Sequence, residues 1–189
     1  MKTRTQFSEN RIRITRTIIY TMLLGSFLAL SSCQKDDTMT TTEIAGDMKG
    51  STTAPAFELK TLGGSTVKLA DFKNKVVVLF FFGNTCPSCQ AAAPNIQSML
   101  QGTFGSNAGF MMLGLDQWDG NEASVESFKK STGVTFPLLL MASPTAKAYS
   151  TTYDRLVVID KSGNIMFDGK QGAASDLAAV KAKVEMLLK

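Results

Sequence analysis

Between Lys75 and Gly83 the chain runs through seven consecutive apolar residues, Val76 to Phe82. A run this short, rich in β-branched and aromatic side chains, predicts a strand covered on both faces in the middle of a sheet. Phe110 to Leu115 repeats the signature and ends on Asp116-Gln117-Trp118-Asp119-Gly120, predicting a second buried strand. Between the two, the pattern from Cys86 to about Leu100 predicts a helix. Ile96, Met99 and Leu100 continue its buried face, Pro94 should kink it, and 102–109 predicts a loop.

Shorter patterns fill in the rest. Ala56–Thr61 and Thr66–Leu69 alternate around Leu62-Gly63-Gly64-Ser65, which predicts a β-hairpin ahead of the Ala70–Lys75 lead-in. Glu122–Ser131 predicts a helix with Val125 and Phe128 inward, stopped by Gly133. Thr135–Leu140 predicts an edge strand, since Pro137 has no N–H to give a ladder. A short helix over Pro144–Thr151 follows, then a hairpin of Leu156–Asp160 and Ile165–Asp168 around Lys161-Ser162-Gly163-Asn164. Leu177, Val180, Val184, Leu187 and Leu188 line one stripe of a closing helix. Strands and helices interleave, so the class is α/β. The 55–189 stretch is long enough for a single core.

The front of the chain follows a different pattern. An apolar run from Ile18 to Leu30 is shorter than a membrane-spanning helix and suits the core of a signal peptide. Charge changes the picture here. The net +4 resides in the first 32 residues, where Lys2, Arg4, Arg11, Arg13 and Arg16 face Glu9 alone; beyond them 15 basic and 15 acidic residues balance. The basicity belongs to a leader and argues against a nucleic-acid surface. Thr38 to Ala54 is polar, without an apolar period, and reads as a flexible tether. The expected organisation is a signal peptide over 1–32, an anchor and tether over 33–54, and one domain over 55–189.

The chemistry lies where the first strand meets the helix. Cys86-Pro87-Ser88-Cys89 opens that helix directly after a central strand. A helix N-terminus carries partial positive charge and unpaired N–H groups, so a thiolate at Cys86 is stabilised there. Cys86 is expected to be the more exposed and more reactive thiol. Pro87 costs nothing at the first helical position, because its missing N–H falls among the orphan donors. Cys89 stands one turn later, close enough to close a short disulfide. A structural staple would normally close a longer loop, so the pair reads as redox-active. The chain has no histidine, which argues against most zinc and copper sites and against cysteine–histidine machinery. Met111 and Met112, within a strand, read as core.

These residues carry a family resemblance. The strand, the C-x-x-C pair and the helix resemble the thioredoxin superfamily. The Pro-x-Phe-x-Leu front end and Phe-Lys-x-Lys lead-in are similar to its membrane-anchored TlpA/ResA-type redoxins, related to AhpC/TSA. The resemblance implies a thioredoxin-like fold, with a central mixed sheet flanked by helices and an N-terminal β-hairpin extension. It implies thiol–disulfide exchange in which Cys86 attacks and Cys89 resolves, with Thr85, Pro87 and Ser88 shaping the active-site loop. Leu30-Ser31-Ser32-Cys33 resembles the lipobox of bacterial lipoproteins, which implies lipid on Cys33 and an extracytoplasmic compartment where a disulfide persists. Gln34, rather than Asp, follows Cys33, and Gln34-Lys35-Asp36-Asp37 resembles a surface-export tag. The expected location is therefore the outer membrane, on its periplasmic face or at the cell surface. No cofactor, metal or nucleic acid is expected; the partners are a protein thiol or disulfide, an electron donor, and the membrane through Cys33.

The chain departs from its family at three positions. Thr85 stands where an aromatic usually precedes the first cysteine, and Phe80 where thioredoxin keeps a buried acid, leaving water to take the resolving thiol's proton. Asp154 stands where a cis-proline normally opens the facing strand, so a trans peptide or a local rearrangement is expected. Asp154 would oppose a thiolate, Arg155 could offset it, or both could point to solvent. Three other readings compete. A peroxiredoxin-like peroxidase would place Thr three residues before its cysteine, where Gly83 stands. Copper-delivery relatives need C-x-x-x-C and a histidine, although a two-thiolate copper(I) site is compatible with the pair. A thioredoxin-fold lipoprotein that only binds a partner is the non-enzymatic alternative.

Overall fold

The structure is a computed structural model that describes residues 52–170 and 172–189. The expected signal peptide, Cys33 and nearly all of the tether lie outside the described residues. In chain order the strands are β1 (Thr52–Thr53), β2 (Glu58–Lys60), β3 (Thr66–Lys68), β4 (Val76–Phe82), β5 (Phe110–Asp116), β6 (Leu138–Leu139), β7 (Arg155–Ile159) and β8 (Asn164–Asp168). The helices are α1 (Pro87–Ile96), α2 (Gly102–Phe104), α3 (Glu122–Thr132), α4 (Ser143–Ala148) and α5 (Ala173–Leu188).

The seven-residue apolar run is β4, and every one of its side chains is at most 1% exposed. It earns that burial by lying inside a six-stranded mixed sheet of order β1-β8-β7-β4-β5-β6. β5 runs parallel to it and β7 antiparallel, so both edges of its backbone are paired. Successive side chains of a strand point to opposite faces. Val76, Val78, Phe80 and Phe82 accordingly join Ile96 and Leu100, then Val125 and Phe128 of α3, then Leu177, Val180 and Val184 of α5. Val77, Leu79 and Phe81 join Leu113, Leu115, Ala146 of α4 and Tyr149 on the other face. Met112 is buried and Met111 packs against the core, as expected of strand methionines.

β2 and β3 form the expected antiparallel hairpin, which stands as a separate two-stranded sheet. It covers the open edge of β6: Leu140 N–H donates to Lys60 O at 2.8 Å and Thr61 bridges Leu139. An unpaired edge would otherwise invite another chain. The β7–β8 hairpin and the closing helix also form as the pattern predicts, and α3 ends on Gly133 at φ 70.

Three details differ from the sequence reading. The sheet reaches back to Thr52–Thr53, which pair with Ile165 and Asn164, within the stretch read as tether. The helical run passes Leu100 through a π-helical segment, Gln97–Gln101, and on into α2, where a loop was expected. That continuation buries Phe104, at 8% exposure, against Phe110. Only Leu138–Leu139 of the 135–140 stretch joins the sheet, because the strand can begin only after Pro137.

Candidate active site

The C-terminal end of β4 and the neighbouring end of its parallel partner β5 are pinned together by one carboxylate. Asp116, fully buried, accepts from Asn84 N–H at 3.2 Å and Asn84 Nδ2 at 3.0 Å. It also accepts from Gly120 N–H at 2.7 Å and Trp118 N–H at 3.4 Å. Gln117 N–H donates to Phe82 O at 2.9 Å. The loop that carries the cysteines is thereby tied to the loop after β5.

Cys86 then turns the chain into α1. Its N–H closes a turn on Gly83 O at 3.0 Å, and its extended backbone (φ −70°, ψ 118°) makes it the N-cap. The sulfur accepts Cys89 N–H at 3.2 Å and lies 3.2 Å from Ser88 Oγ. Pro87 occupies the first helical position, as expected, and Thr85, Pro87 and Ser88 are exposed. Cys86 itself is not: at 1% exposure it is nearly as covered as Cys89 at 0%, against the expectation of an accessible attacking thiol. The sulfur is turned onto the first turn of α1 by the Cys89 N–H and joins the apolar cluster that also holds Cys89, Ala92 and Ala173.

Both cysteines are free thiols. The Cys89 thiol is pushed well above the ordinary range, chiefly by burial and next by its hydrogen bond with Cys86. The backbone of Gly83 hydrogen-bonds it and pulls the other way, while negative charge on Cys86 or Asp154 would push it higher still. Among the described residues no three histidine, cysteine or acidic side chains gather as a metal site.

Asp154 neither points to solvent nor pairs with Arg155. It is 5% exposed and takes a left-handed conformation, φ 58°. Its carbonyl accepts the N–H groups of Gly172 and Ala173, and Oδ1 accepts Ala173 N–H at 3.2 Å. It thus caps the start of α5, while Arg155 forms an ion pair with Asp168 on β8. Among the described residues every peptide is trans, as expected without the proline.

Sequence reasoning assigned no role to Trp118 or Asn84. Trp118 is 42% exposed and stacks edge-on against Tyr153, centroids 5.1 Å apart. Its indole also lies over Gly83, where a Cβ would come closer than 3.0 Å to three ring carbons. An aromatic therefore borders the cysteine-bearing loop even though Thr85 occupies the usual aromatic position. Its signal was available: it is the single tryptophan, placed just past a buried strand parallel to β4, where neighbouring strand ends build sites.

A family model described as the AhpC/TSA family matches residues 51–168. The chain belongs to the AhpC/TSA family. It is 30% identical over 117 residues to the thioredoxin-like protein YneN of Bacillus subtilis, covering 59% of this chain and 66% of that one. It is 29% identical over 119 residues to the thiol-disulfide oxidoreductase ResA of Geobacillus kaustophilus, covering 60% and 64%. The chain thus spans just under two thirds of either relative. Among solved structures, the thioredoxin domain of a thiol-disulfide oxidoreductase from Bacteroides vulgatus superposes with a TM-score of 0.63 at 20% identity, covering 76% of this chain and 100% of that one. The thioredoxin-like α/β fold expected from the sequence is the fold observed.

Proposed function

We propose that this AhpC/TSA-family chain is a membrane-anchored, extracytoplasmic thiol–disulfide oxidoreductase working through Cys86 and Cys89. The observation that carries the reading is the capped sulfur: Cys86 follows the turn after β4, caps α1 and receives the Cys89 N–H at 3.2 Å. One amide N–H and the start of a helix are aimed at this sulfur, which sets it apart from Cys89 as the attacking thiol. Cys86 attacks a partner disulfide, a mixed disulfide forms, and Cys89 attacks Cys86 to release the partner thiol. The oxidised pair is then returned by an electron donor, or the cycle runs in reverse. Because Cys86 is 1% exposed, a docking partner must displace part of its cover. The names of YneN and ResA support the exchange activity. The anchor we propose with it is lipid on Cys33 after loss of 1–32, on an outer-membrane lipoprotein facing periplasm or exterior.

Insulin reduction by the full chain, compared with peroxide consumption, tests the activity. Exchange should dominate, and Cys86→Ser should abolish it. Rapid peroxide turnover with negligible insulin reduction would select the peroxidase reading instead. For the anchor, a labelled fatty acid should be lost in Cys33→Ala; a mature chain that keeps its leader would refute it.

The covered sulfur favours one second reading, a lipoprotein that keeps the fold and binds a partner without exchange. Absence of both activities and of any trapped partner would select it.

A further inference from the structure

The resolving half of the cycle needs something the family position does not supply. Cys89 sits at 0% exposure and must lose a proton before it can attack, yet Phe80, where thioredoxin keeps an acid, is wholly buried and apolar. Two buried carboxylates flank the end of β4. Asp116 pairs with Phe82 from the β5 side, and both its oxygens are occupied by the N–H donors of Asn84, Trp118 and Gly120. Asp154 comes from the β7 side. The β4–β7 register ends on the pair Phe81 and Arg155, so Asp154, the residue just before β7, lies beside the end of β4. The Trp118 indole, resting on both Gly83 and Tyr153, holds the segment just before Asp154 against the turn after β4.

The face is set by α5. Ala173, whose N–H donates to Asp154 Oδ1, is 0% exposed and belongs to the same core cluster as Cys86 and Cys89. Among the described residues the hydrogen bond to the Asp154 carboxylate falls on Oδ1. The other charged groups nearby are engaged elsewhere: Arg155 with Asp168, and Asp176 of α5 with Lys170 N–H.

We propose that Asp154 is the proton acceptor for Cys89 in the resolving step, taking over from the position that Phe80 leaves empty of acid. The proposal rests on the exchange reading above. In the step, the Cys89 S–H proton passes to the Asp154 carboxylate and the Cys89 sulfur pair forms a bond to Cys86 sulfur. The bond from Cys86 to the partner sulfur breaks, and the partner leaves as a thiolate that recovers a proton. The cysteine pair loses two electrons and the partner disulfide gains them. Protonating Asp154 also removes the negative charge that opposes a Cys89 thiolate.

The test separates attack from resolution in the full chain, with Cys33→Ser to remove the third thiol. An excess of a chromogenic aryl disulfide releases one aryl thiolate when Cys86 attacks and a second when Cys89 resolves. Asp154→Asn keeps both the left-handed backbone and the acceptor for Ala173 N–H. Its first release should stay within about twofold of wild type, while the second should slow by about 100-fold, the scale of a lost general base. Below the thiol's own range, that slow release should climb about tenfold per pH unit, following the thiolate fraction, where wild type is flatter. Asp154→Gly, which suits φ 58°, should behave the same and recover with added formate. Equal slowing of both releases, or a second release at the wild-type rate and pH profile in both variants, would overturn the proposal. Failure of wild type to give the first release would remove the exchange reading itself, and this step with it.

Discussion

Asp116 and Asp154 sit on either side of the same strand end, both buried, and they are built for opposite ends. Asp116 is saturated, with donors from two loops converging on its two oxygens. Asp154 holds a helix start through its backbone carbonyl and Oδ1. Burying a carboxylate is costly unless hydrogen bonds replace water, so the number of donors tells what the group does. A fully supplied acid fastens loops. One supplied at a single oxygen has capacity left for the proton transfer proposed above.

The sharpest way to break the comparison is to remove each acid and measure stability by urea unfolding. Asp116→Ala strands the Asn84, Trp118 and Gly120 donors and should cost about 3–5 kcal/mol. A loss under about 1 kcal/mol would mean those bonds do not hold the loops. Asp154→Ala forfeits one helix-capping acceptor and puts a Cβ-bearing residue without Asp's tolerance at φ 58°, for about 1–2 kcal/mol. Asp154→Asn should stay within about 0.5 kcal/mol of wild type, since it keeps cap and backbone. A large loss in Asp154→Asn would make the acid structural after all, like Asp116.

A smaller effect should appear in alkali. Because the folded Cys89 thiol binds its proton more tightly than an unfolded one, it contributes no pH slope below the ordinary thiol range near about pH 8.5. As pH rises through and beyond that range, the unfolded chain loses the proton first and folded stability declines. The slope is at most about 1.4 kcal/mol per pH unit. Under reducing conditions Cys89→Ala should flatten this decline. Tyr149, whose phenol is also pushed up by burial, should leave a residual slope above about pH 10. An unchanged slope in Cys89→Ala would contradict the buried-thiol account.

What could be read from the chain follows the same physics. Val76–Phe82 declared itself because a strand paired on both edges and covered on both faces must be apolar throughout. Leu177, Val180 and Val184 declared α5 through their stripe, and Gly133 declared the end of α3. Thr52–Thr53 could not, since two threonines join the sheet only because β8 offers them an edge. Cys86 and Cys89 were legible as a pair, but the burial of the Cys86 sulfur depends on a cluster drawn from α1 and the start of α5, which spacing does not encode. The place of Asp154 was hidden for a related reason. Its burial depends on the start of α5, 19 residues further along the chain. Trp118 was visible but unassigned, because its partners Gly83 and Tyr153 come from other parts of the sequence.

The most direct test of the account is the intact mass of full-length Cys33→Ser, Cys89→Ser after brief mixing with disulfide-bonded insulin and acid quenching. The account predicts one insulin-chain adduct per molecule, mapped to Cys86 by peptide fragmentation, dissolved by reductant and missing when Cys86→Ser is added. An unmodified mass, or an adduct that survives without Cys86, would contradict it.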